Sequence, residues 1–277
     1  MMSTQPIERS ASRFTPRVPE GSPRLILQTL VTTLQPRDAE TYEHSKRVTR
    51  LSLRLARELS LDRVEMESLA LGALLHDIGK IRVPDAILHK PGKLTPEQWS
   101  RMRNHPLYGQ KILSGIEFLE GASRVAAQHH EKWDGSGYPW GLAGKEIDRN
   151  ARIFAVADAY DAMTSDRVYR AGLTYEAAAA ELNREVGIHF DPKVVEAFCS
   201  IPQQEWEATT KALASSSPAQ PHGQGWDINA SKALVYSLAI AAVPQPERCG
   251  VKPPQTTALT SQRTPKSCFT FWHFAQK

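Results

Sequence analysis

The sequence feature that most constrains this chain is the stretch Leu74-Leu75-His76-Asp77-Ile78-Gly79-Lys80, where an apolar run ends in a histidine beside an aspartate. Neighbouring helical side chains point about 100° apart, so His76 and Asp77 can serve one site only at a helix end. Gly79 is expected to end that helix, because glycine tolerates a left-handed cap. An imidazole and a carboxylate presented together suit a divalent cation, although most such pairs are buried ion pairs.

Composition is typical of a soluble globular protein of 277 residues, with 41% hydrophobic and 23% charged residues. The net charge of +4 comes from residues 1–24 and 201–277, whereas residues 25–200 are close to neutral. The basic balance therefore belongs to the two ends and does not argue for a nucleic-acid-binding surface.

Cysteine usage and the lack of a leader predict a cytoplasmic protein. Cys199, Cys249 and Cys268 have neither metal-ligand spacing nor the even count of a disulfide framework. The polar, proline-rich N-terminus does not resemble a secretory signal. The longest apolar run, Ala233 to Val243, is too short to span a bilayer, so no membrane span is expected.

Apolar residues that recur at helical spacing predict an all-α domain. Helix starts are indicated at Ser22-Pro23, at Asp62 and at the capping box that begins with Thr95. Periodicity stops over residues 131–150, and an irregular loop of that length in a compact domain usually has a function. The last predicted helix runs through Phe198.

The predicted domain organisation has three parts. Residues 1–21 are expected to be a disordered lead, and residues 22–201 the helical domain. Residues 202–277 are rich in serine and proline and are expected to be a low-complexity, weakly structured tail, most simply a disordered one.

Side chains that commonly bind metals cluster near the predicted helix ends. Each has an ordinary structural explanation alone, but together they make eight candidate ligands. Imidazole and carboxylate donors without thiolate favour iron, manganese, zinc or a similar ion, and eight donors suit two or three ions better than one. Closely spaced ions of this kind polarise phosphoryl groups. The candidates are Glu40, His44, His76, Asp77, His105, His129, His130 and Asp158.

Five motifs, in unbroken order over roughly residues 25–200, resemble the HD-GYP family, a branch of the HD superfamily of metal-dependent phosphohydrolases. The matching segments are Leu75 to Lys80, His129-His130-Glu131, Asp134 to Pro139, Ala155 to Ala162 and Phe190-Asp191-Pro192. The resemblance implies a helical bundle around a central metal site. It also implies hydrolysis of cyclic di-GMP, a bacterial second messenger, to the linear dinucleotide or onward to GMP.

The resemblance also assigns roles to particular residues. All eight candidates would be metal ligands of two or three ions, most simply iron or manganese, with Glu40 belonging to members that bind a third metal. Asp77 and Lys80 would be catalytic, and Lys80 would contact the substrate phosphate. Arg167 and Arg170 would hold the phosphates, and the loop residues Gly137, Tyr138 and Pro139 would contact the substrate.

Several interpretations stay open. Tyr138 either orders around a guanine or only anchors its loop, Glu131 is a support for the ligands or a surface charge, and Asp161 is a carboxylate inside its helix or one that supports a ligand. Val168 stands where the family pattern has proline, a change that touches no ligand. The chain could instead hydrolyse another nucleotide, or bind nucleotide or protein without catalysis; regulatory input would then come from signalling partners or the tails.

Overall fold

The computed structural model describes residues 22–34, 39–166 and 171–211. Within these ranges the only regular elements are helices, accompanied by two isolated β-bridges, so the predicted all-α fold class is confirmed. Three short 3-10 helices span Ile78–Arg82, Glu117–Leu119 and Gly144–Glu146. The α-helices are α1 (Ser22–Leu34), α2 (Ala39–Glu58), α3 (Arg63–Leu75), α4 (Asp85–Leu88), α5 (Pro96–Met102), α6 (His105–Leu113), α7 (Glu120–Gln128), α8 (Arg149–Thr164), α9 (Tyr175–Arg184), α10 (Pro192–Ser200) and α11 (Gln203–Lys211).

Side-chain caps begin the helices where the sequence predicts them. The Asp62 carboxylate accepts the backbone N–H of Glu65, and the Glu65 carboxylate accepts the N–H of Asp62. Thr95 and Gln98 form the same reciprocal capping box at the start of α5. Each box satisfies backbone donors that the first helical turn would otherwise leave unpaired.

Two apolar cores hold the helices together, and the His76-Asp77 pair lies where they meet. The larger core surrounds α2 and α8, and includes Leu55 and Phe154. The smaller core includes Leu75 and Ile78, which flank the pair. The His76 ring contacts Phe154 of the larger core, with a centroid distance of 4.8 Å. Packing on both sides therefore fixes the backbone at the end of α3.

The prediction that regular structure ends near residue 201 is wrong by one helix. Helix α11 packs against α2, and its Trp206 is fully buried and stacks on Phe198 at 4.6 Å. An ion pair between Arg54 and Glu205 joins the same two helices. The polar sequence of α11 hides the helix, because Trp206 is its only large apolar side chain. The rest of the predicted tail, residues 212–277, and the predicted lead, residues 1–21, lie outside the described residues.

No helix in the described part of the chain has both the length and the apolar character needed to cross a bilayer.

Candidate metal centre

Seven of the eight predicted ligands converge in one elongated cluster, five of them at helix ends and His44 and Asp158 inside α2 and α8. Their imidazole rings form a row in which centroids of neighbours lie 4.0–5.7 Å apart, beginning with His44 and His76 and continuing to His129. His105 and His130 complete the row, with centroids 5.0 Å apart. The cluster members are His44, His76, Asp77, His105, His129, His130 and Asp158.

Gly79 makes this convergence possible, but not as a left-handed cap. It is not among the described glycines with positive φ, and it lies inside the 3-10 helix Ile78–Arg82. A Cβ at this position would lie 1.9 Å from the backbone oxygen of His105 and 2.5 Å from the nitrogen of Gly109. The predicted role is therefore wrong; the residue is glycine because the backbone of α6 approaches too closely for a side chain.

Three histidines are oriented by the backbone of the turn that precedes them. The Nδ1 atoms of His76, His105 and His129 lie 2.8–2.9 Å from the carbonyl oxygens three residues earlier. A carbonyl oxygen can only accept, so each Nδ1 carries the hydrogen and each Nε2 of the neutral ring presents a lone pair. We call these three residues the backbone-oriented group.

Within the cluster, the unprotonated Nε2 atoms of His105 and His129 face each other. The Nε2 of His105 lies 3.2 Å from the Nε2 atoms of both His129 and His130. Burial lowers the pKa of His105 to about 4, and it lowers the pKa values of His129 and His130 well below their usual range. Neutral imidazoles whose lone pairs point at one another repel, and a cation between them removes that repulsion. The donor set therefore fits a divalent metal ion.

Asp77 lies between two parts of the cluster. One carboxylate oxygen is 3.1 Å from Nε2 of His76, and the other is 3.3 Å from Nε2 of His105. Lys80 Nζ donates to the first of these oxygens at 2.7 Å. Burial would raise the pKa of the Asp77 carboxyl, but Lys80 and His76 outweigh it and hold the pKa well below the usual value. Asp77 is thus an ionised carboxylate, with one oxygen facing His76 and the other facing His105.

His44 is oriented differently, by side chains of another helix. Its Nδ1 lies 2.7 Å from Asp161 Oδ2, and its Nε2 lies 3.0 Å from Asp158 Oδ1. Arg47 donates to both oxygens of Asp161, at 2.7 and 3.0 Å. Asp161 is 1% exposed, so this buried carboxylate depends on its two partners. We call His44, Asp158, Asp161 and Arg47 the His44 end.

The pKa of His44 is shifted in the opposite direction from those of His105, His129 and His130. Burial would lower its pKa, but hydrogen bonds to Asp158 and Asp161 outweigh burial and raise the pKa to about 9. Burial would raise the pKa of Asp161, which His44 and Arg47 instead lower. Asp161 is therefore the carboxylate that orients the candidate ligand His44, rather than one that only lies inside its helix.

The loop after α7 folds back onto the His129-His130 pair. A Cβ on Gly137 would lie 2.4 Å from the nitrogen of Lys132 and 2.5 Å from Cα of Glu131, so only glycine fits. The backbone N–H of Tyr138 donates to the His130 carbonyl at 3.1 Å. The Tyr138 ring also stacks on the His130 ring, with centroids 4.6 Å apart and planes 24° apart. Pro139 follows through a cis peptide bond.

Glu131 anchors the far side of the same loop. It is 2% exposed, and its two carboxylate oxygens accept the backbone N–H groups of Trp140 and Leu142 at 2.8 and 3.1 Å. Glu131 is therefore not a surface charge. The loop and the histidine pair form one unit, in which backbone contacts replace regular structure.

The remaining predicted residues divide into two groups. Glu40 lies in the first turn of α2, but its side chain is outside what the structure describes, as are Arg167 and Arg170. His89 is exposed, whereas His189 is buried and stacks on Phe190, so both stay outside the cluster. Trp140, in the loop after α7, is 47% exposed.

Sequence reasoning missed two arginines next to the cluster. Arg47 follows His44 by three residues on a helix, and that spacing places both side chains on one face, which is a usable signal. Arg103 places its guanidinium carbon 4.4 Å from the centre of the Tyr138 ring. No local pattern connects residues 103 and 138, so the sequence offers no signal for that contact.

Comparisons with known proteins agree with this geometry. The family model described as HD domain matches residues 28–194. A cyclic di-GMP phosphodiesterase of Thermotoga maritima is 42% identical over 65% of this chain and 49% of its own length. A 3'3'-cGAMP-specific phosphodiesterase 2 of Vibrio cholerae is also 42% identical, over 62% of this chain and 33% of its own length. The chain thus spans half or less of the length of these curated relatives.

A solved structure supports the fold. The crystal structure of a cyclic GMP-AMP specific phosphodiesterase from Vibrio cholerae aligns with a TM-score of 0.51, at 18% sequence identity. The alignment covers 79% of this chain and 60% of that one. At this identity the likeness concerns the helical architecture alone.

Proposed function

The chain belongs to the HD domain family, and from that premise we propose that it is a metal-dependent phosphodiesterase that hydrolyses a cyclic dinucleotide. The first candidate substrate is cyclic di-GMP, with the linear dinucleotide or GMP as product. The cytoplasmic setting predicted from cysteine usage fits a role in bacterial second-messenger signalling, with protein partners or the chain ends supplying regulation.

The observation that carries this proposal is the position of Asp77. Its two oxygens face His76 on one side and His105 on the other. A carboxylate with one oxygen for each side suits a bridge between two ions, and Glu40 would extend the set if a third ion binds. The first ion would use His44, His76 and Asp158, and the second His105, His129 and His130. Iron and manganese both suit these donors.

When bound, divalent ions would polarise the phosphoryl group, lower the pKa of a water molecule and offset the charge that develops during attack. The chain's own residues would do the rest. The backbone-oriented group keeps each Nε2 lone pair in a fixed direction, so little reorganisation is needed at the moment of reaction. Burial of these histidines keeps bulk water away and strengthens every charge interaction.

Lys80 would supply positive charge for the substrate phosphate. Its ammonium group already lies 2.7 Å from Asp77 and is partly exposed, so an incoming anion can reach it. A phosphodiester carries a negative charge that repels a nucleophile, and a lysine beside it reduces that repulsion. Arg167 and Arg170 would hold the phosphates in the same way. The loop with Gly137, Tyr138 and Pro139 borders His130 and would lie beside the bound dinucleotide.

A second substrate is favoured by one specific observation. A relative named for 3'3'-cGAMP is as similar to this chain, at 42% identity, as one named for cyclic di-GMP. The two messengers differ only in one base, so the choice depends on contacts to a purine edge rather than on the metal centre.

The test is anaerobic incubation of the purified protein with Fe(II) or Mn(II) and each dinucleotide, followed by chromatography of the products. Asp77→Ala serves as the inactive control. Linear dinucleotide or GMP from the wild type alone would support the proposal, and the ratio of initial rates would identify the preferred messenger.

Two results would overturn parts of the proposal. Hydrolysis by a fully metallated Asp77→Ala protein would refute the assignment of the site. A wild type that binds metal but cleaves neither messenger would favour another nucleotide substrate or a module that binds without catalysis, and a nucleotide-binding titration would separate those two.

A further inference from the structure

The Tyr138 ring has two neighbours at once. His130 stacks on it at a centroid distance of 4.6 Å, and the Arg103 guanidinium carbon lies 4.4 Å from its centroid. The Tyr138 side chain is half-buried, and burial raises the pKa of its hydroxyl, so the ring stays neutral. A ring held between a candidate ligand and a cation has little surface left on which a guanine could stack.

Tyr138 moves with His130, because two contacts join them. In addition to the ring stacking, the Tyr138 N–H donates to the His130 carbonyl at 3.1 Å. The close approach of Gly137 to the backbone of Glu131 and Lys132 removes the remaining freedom of the loop. The position of the Tyr138 ring therefore affects the orientation of the His130 imidazole.

Arg103 contacts the Tyr138 ring from the chain segment that supplies His105. It caps the C-terminus of α5, two residues before His105, whose Nδ1 bonds to Met102. His105 and His130 face each other with Nε2 atoms 3.2 Å apart. Through Tyr138, Arg103 thus connects the two chain segments that supply this histidine pair.

We propose that Arg103 is a positioning residue, which holds the Tyr138 ring against His130 and thereby sets the orientation of that ligand and the affinity for metal. The inference rests on the proposed metal centre and is independent of which substrate is cleaved. It assigns Tyr138 to the support of a ligand, rather than to contact with a base. A guanidinium lies flat against an aromatic ring more readily than an ammonium does, so lysine would replace Arg103 only in part.

The experiment is a Mn(II) titration of the chelator-treated full chain, with free Mn(II) followed by electron paramagnetic resonance. Arg103→Met removes the cation and keeps a side chain of similar length, and Tyr138→Leu removes the ring. We expect each to weaken binding of one ion about 3- to 30-fold, within or below the range seen when groups that support metal ligands are lost. Tyr138→Phe keeps the ring and should bind within about 2-fold of the wild type.

The double variant Arg103→Met/Tyr138→Leu tests the path. If Arg103 acts through Tyr138, the double variant binds metal no more weakly than the worse single variant. Arg101→Met, an exposed arginine on the same helix, is the matched control and should change nothing. Arg103→Lys should bind with intermediate affinity; it also gives a second variant if Arg103→Met fails to fold, as judged by circular dichroism.

Two outcomes would overturn the proposal. Unchanged Mn(II) affinity in Arg103→Met would overturn it, and weaker binding of the dinucleotide by that variant in a titration would make Arg103 a substrate contact instead. Additive losses in the double variant would show that its effect does not pass through Tyr138. Neither outcome depends on turnover: a wild type that binds Mn(II) and cleaves nothing would refute the proposed activity alone, whereas a wild type that binds no Mn(II) would refute the metal centre.

Discussion

The two ends of the histidine cluster reach similar geometry by different means. In the backbone-oriented group, carbonyl oxygens three residues earlier fix the rings of His76, His105 and His129. At the His44 end, the same task falls to the Asp161 carboxylate, which Arg47 holds in turn. Carbonyl groups belong to every residue, whereas a carboxylate and a guanidinium are particular side chains.

This difference has a consequence for both sequence and charge. A ligand that a helix end orients survives most substitutions around it, since the backbone stays in place. A ligand that a side-chain network orients can be released by one substitution. The carboxylates also raise the pKa of His44, whereas burial outweighs the nearby Asp77 charge and lowers the pKa of His105, His129 and His130. The His44 end should thus be the more easily perturbed part of the centre.

The largest effect is expected where the two ends meet. Asp77→Ala removes the carboxylate that faces both His76 and His105. The affinity for both ions should therefore fall together. Hydrolysis of the proposed substrate should fall by at least about 10³-fold, as for loss of a metal-binding group in catalysis. Metal content per chain, by inductively coupled plasma mass spectrometry, checks the first part. Asp85→Ala, on an exposed helix start, is the control.

The next effect breaks the backbone-oriented group without touching a ligand. In Gly79→Ala the new Cβ would lie 1.9 Å from the His105 oxygen, so α6 has to move. The free energy of unfolding should fall by about 3 kcal/mol, the upper part of the range for overpacking. Chemical denaturation measures it.

Gly109→Ala is the matched control for that substitution, because its Cβ would meet neighbours only at 3.5 Å. It should be neutral or slightly stabilising, since alanine favours a helix interior. Equal losses in both variants would contradict the close approach described for Gly79.

A smaller effect is expected from the side-chain network. Asp161→Asn keeps the shape of the side chain but removes the charge that orients His44. The affinity for the ion at the His44 end should fall by about 10- to 100-fold. The ion at His105, His129 and His130 should bind as in the wild type. A metal titration that resolves two classes of site tests this, and uniform weakening of both classes would mean that the two ends are not separable.

The smallest effect concerns the pH dependence of the chelator-treated protein. The folded pKa of His44, about 9, lies above the unfolded value of about 6.5. Its contribution is therefore fully present below about pH 6.5 and is lost as pH rises through 9. The folded pKa of His105, about 4, lies below the unfolded value, so acidification from about pH 6.5 to 4 favours the unfolded chain.

Stability should consequently be greatest near neutral pH and fall on both sides, by on the order of 1 kcal/mol per pH unit. His44→Gln should reduce the loss of stability at alkaline pH and leave the acid side unchanged. His105→Gln should reduce part of the loss of stability at acid pH and leave the alkaline side unchanged. Denaturation series at several pH values, with chelator present, would reveal whether the two limbs respond separately.

Sequence predicts those parts of this molecule that depend on neighbours along the chain. The helix caps at Asp62 and Thr95, and the position of the His76-Asp77 and His129-His130 pairs at helix ends, follow from local spacing, and the structure has them there. Contacts through space are different. The Arg103–Tyr138 contact, and the two hydrogen bonds from backbone N–H groups to Glu131, join residues that no helical or strand spacing relates. No sequence pattern therefore predicts them.

Gly79 shows how a correct residue can be given the wrong reason. Local rules connect a glycine after a helix with a left-handed cap, whereas here the constraint is the backbone of α6, which lies 26 residues further along the chain at His105. Trp206 is a similar case: its helix reads as polar, and only the slot beside Phe198 explains it. In both cases the cause lies in packing between distant segments.

The position of α11 also affects how the protein is made. Trp206 closes the larger core against α2, which lies near the start of the described residues, and Arg54 pairs with Glu205 across 151 residues. A chain that leaves the ribosome from its N-terminus can form α2 early, but it cannot complete this core until Gln203–Lys211 has emerged. Until then the nascent domain carries an open apolar slot, which α11, the last helix of the described residues, closes.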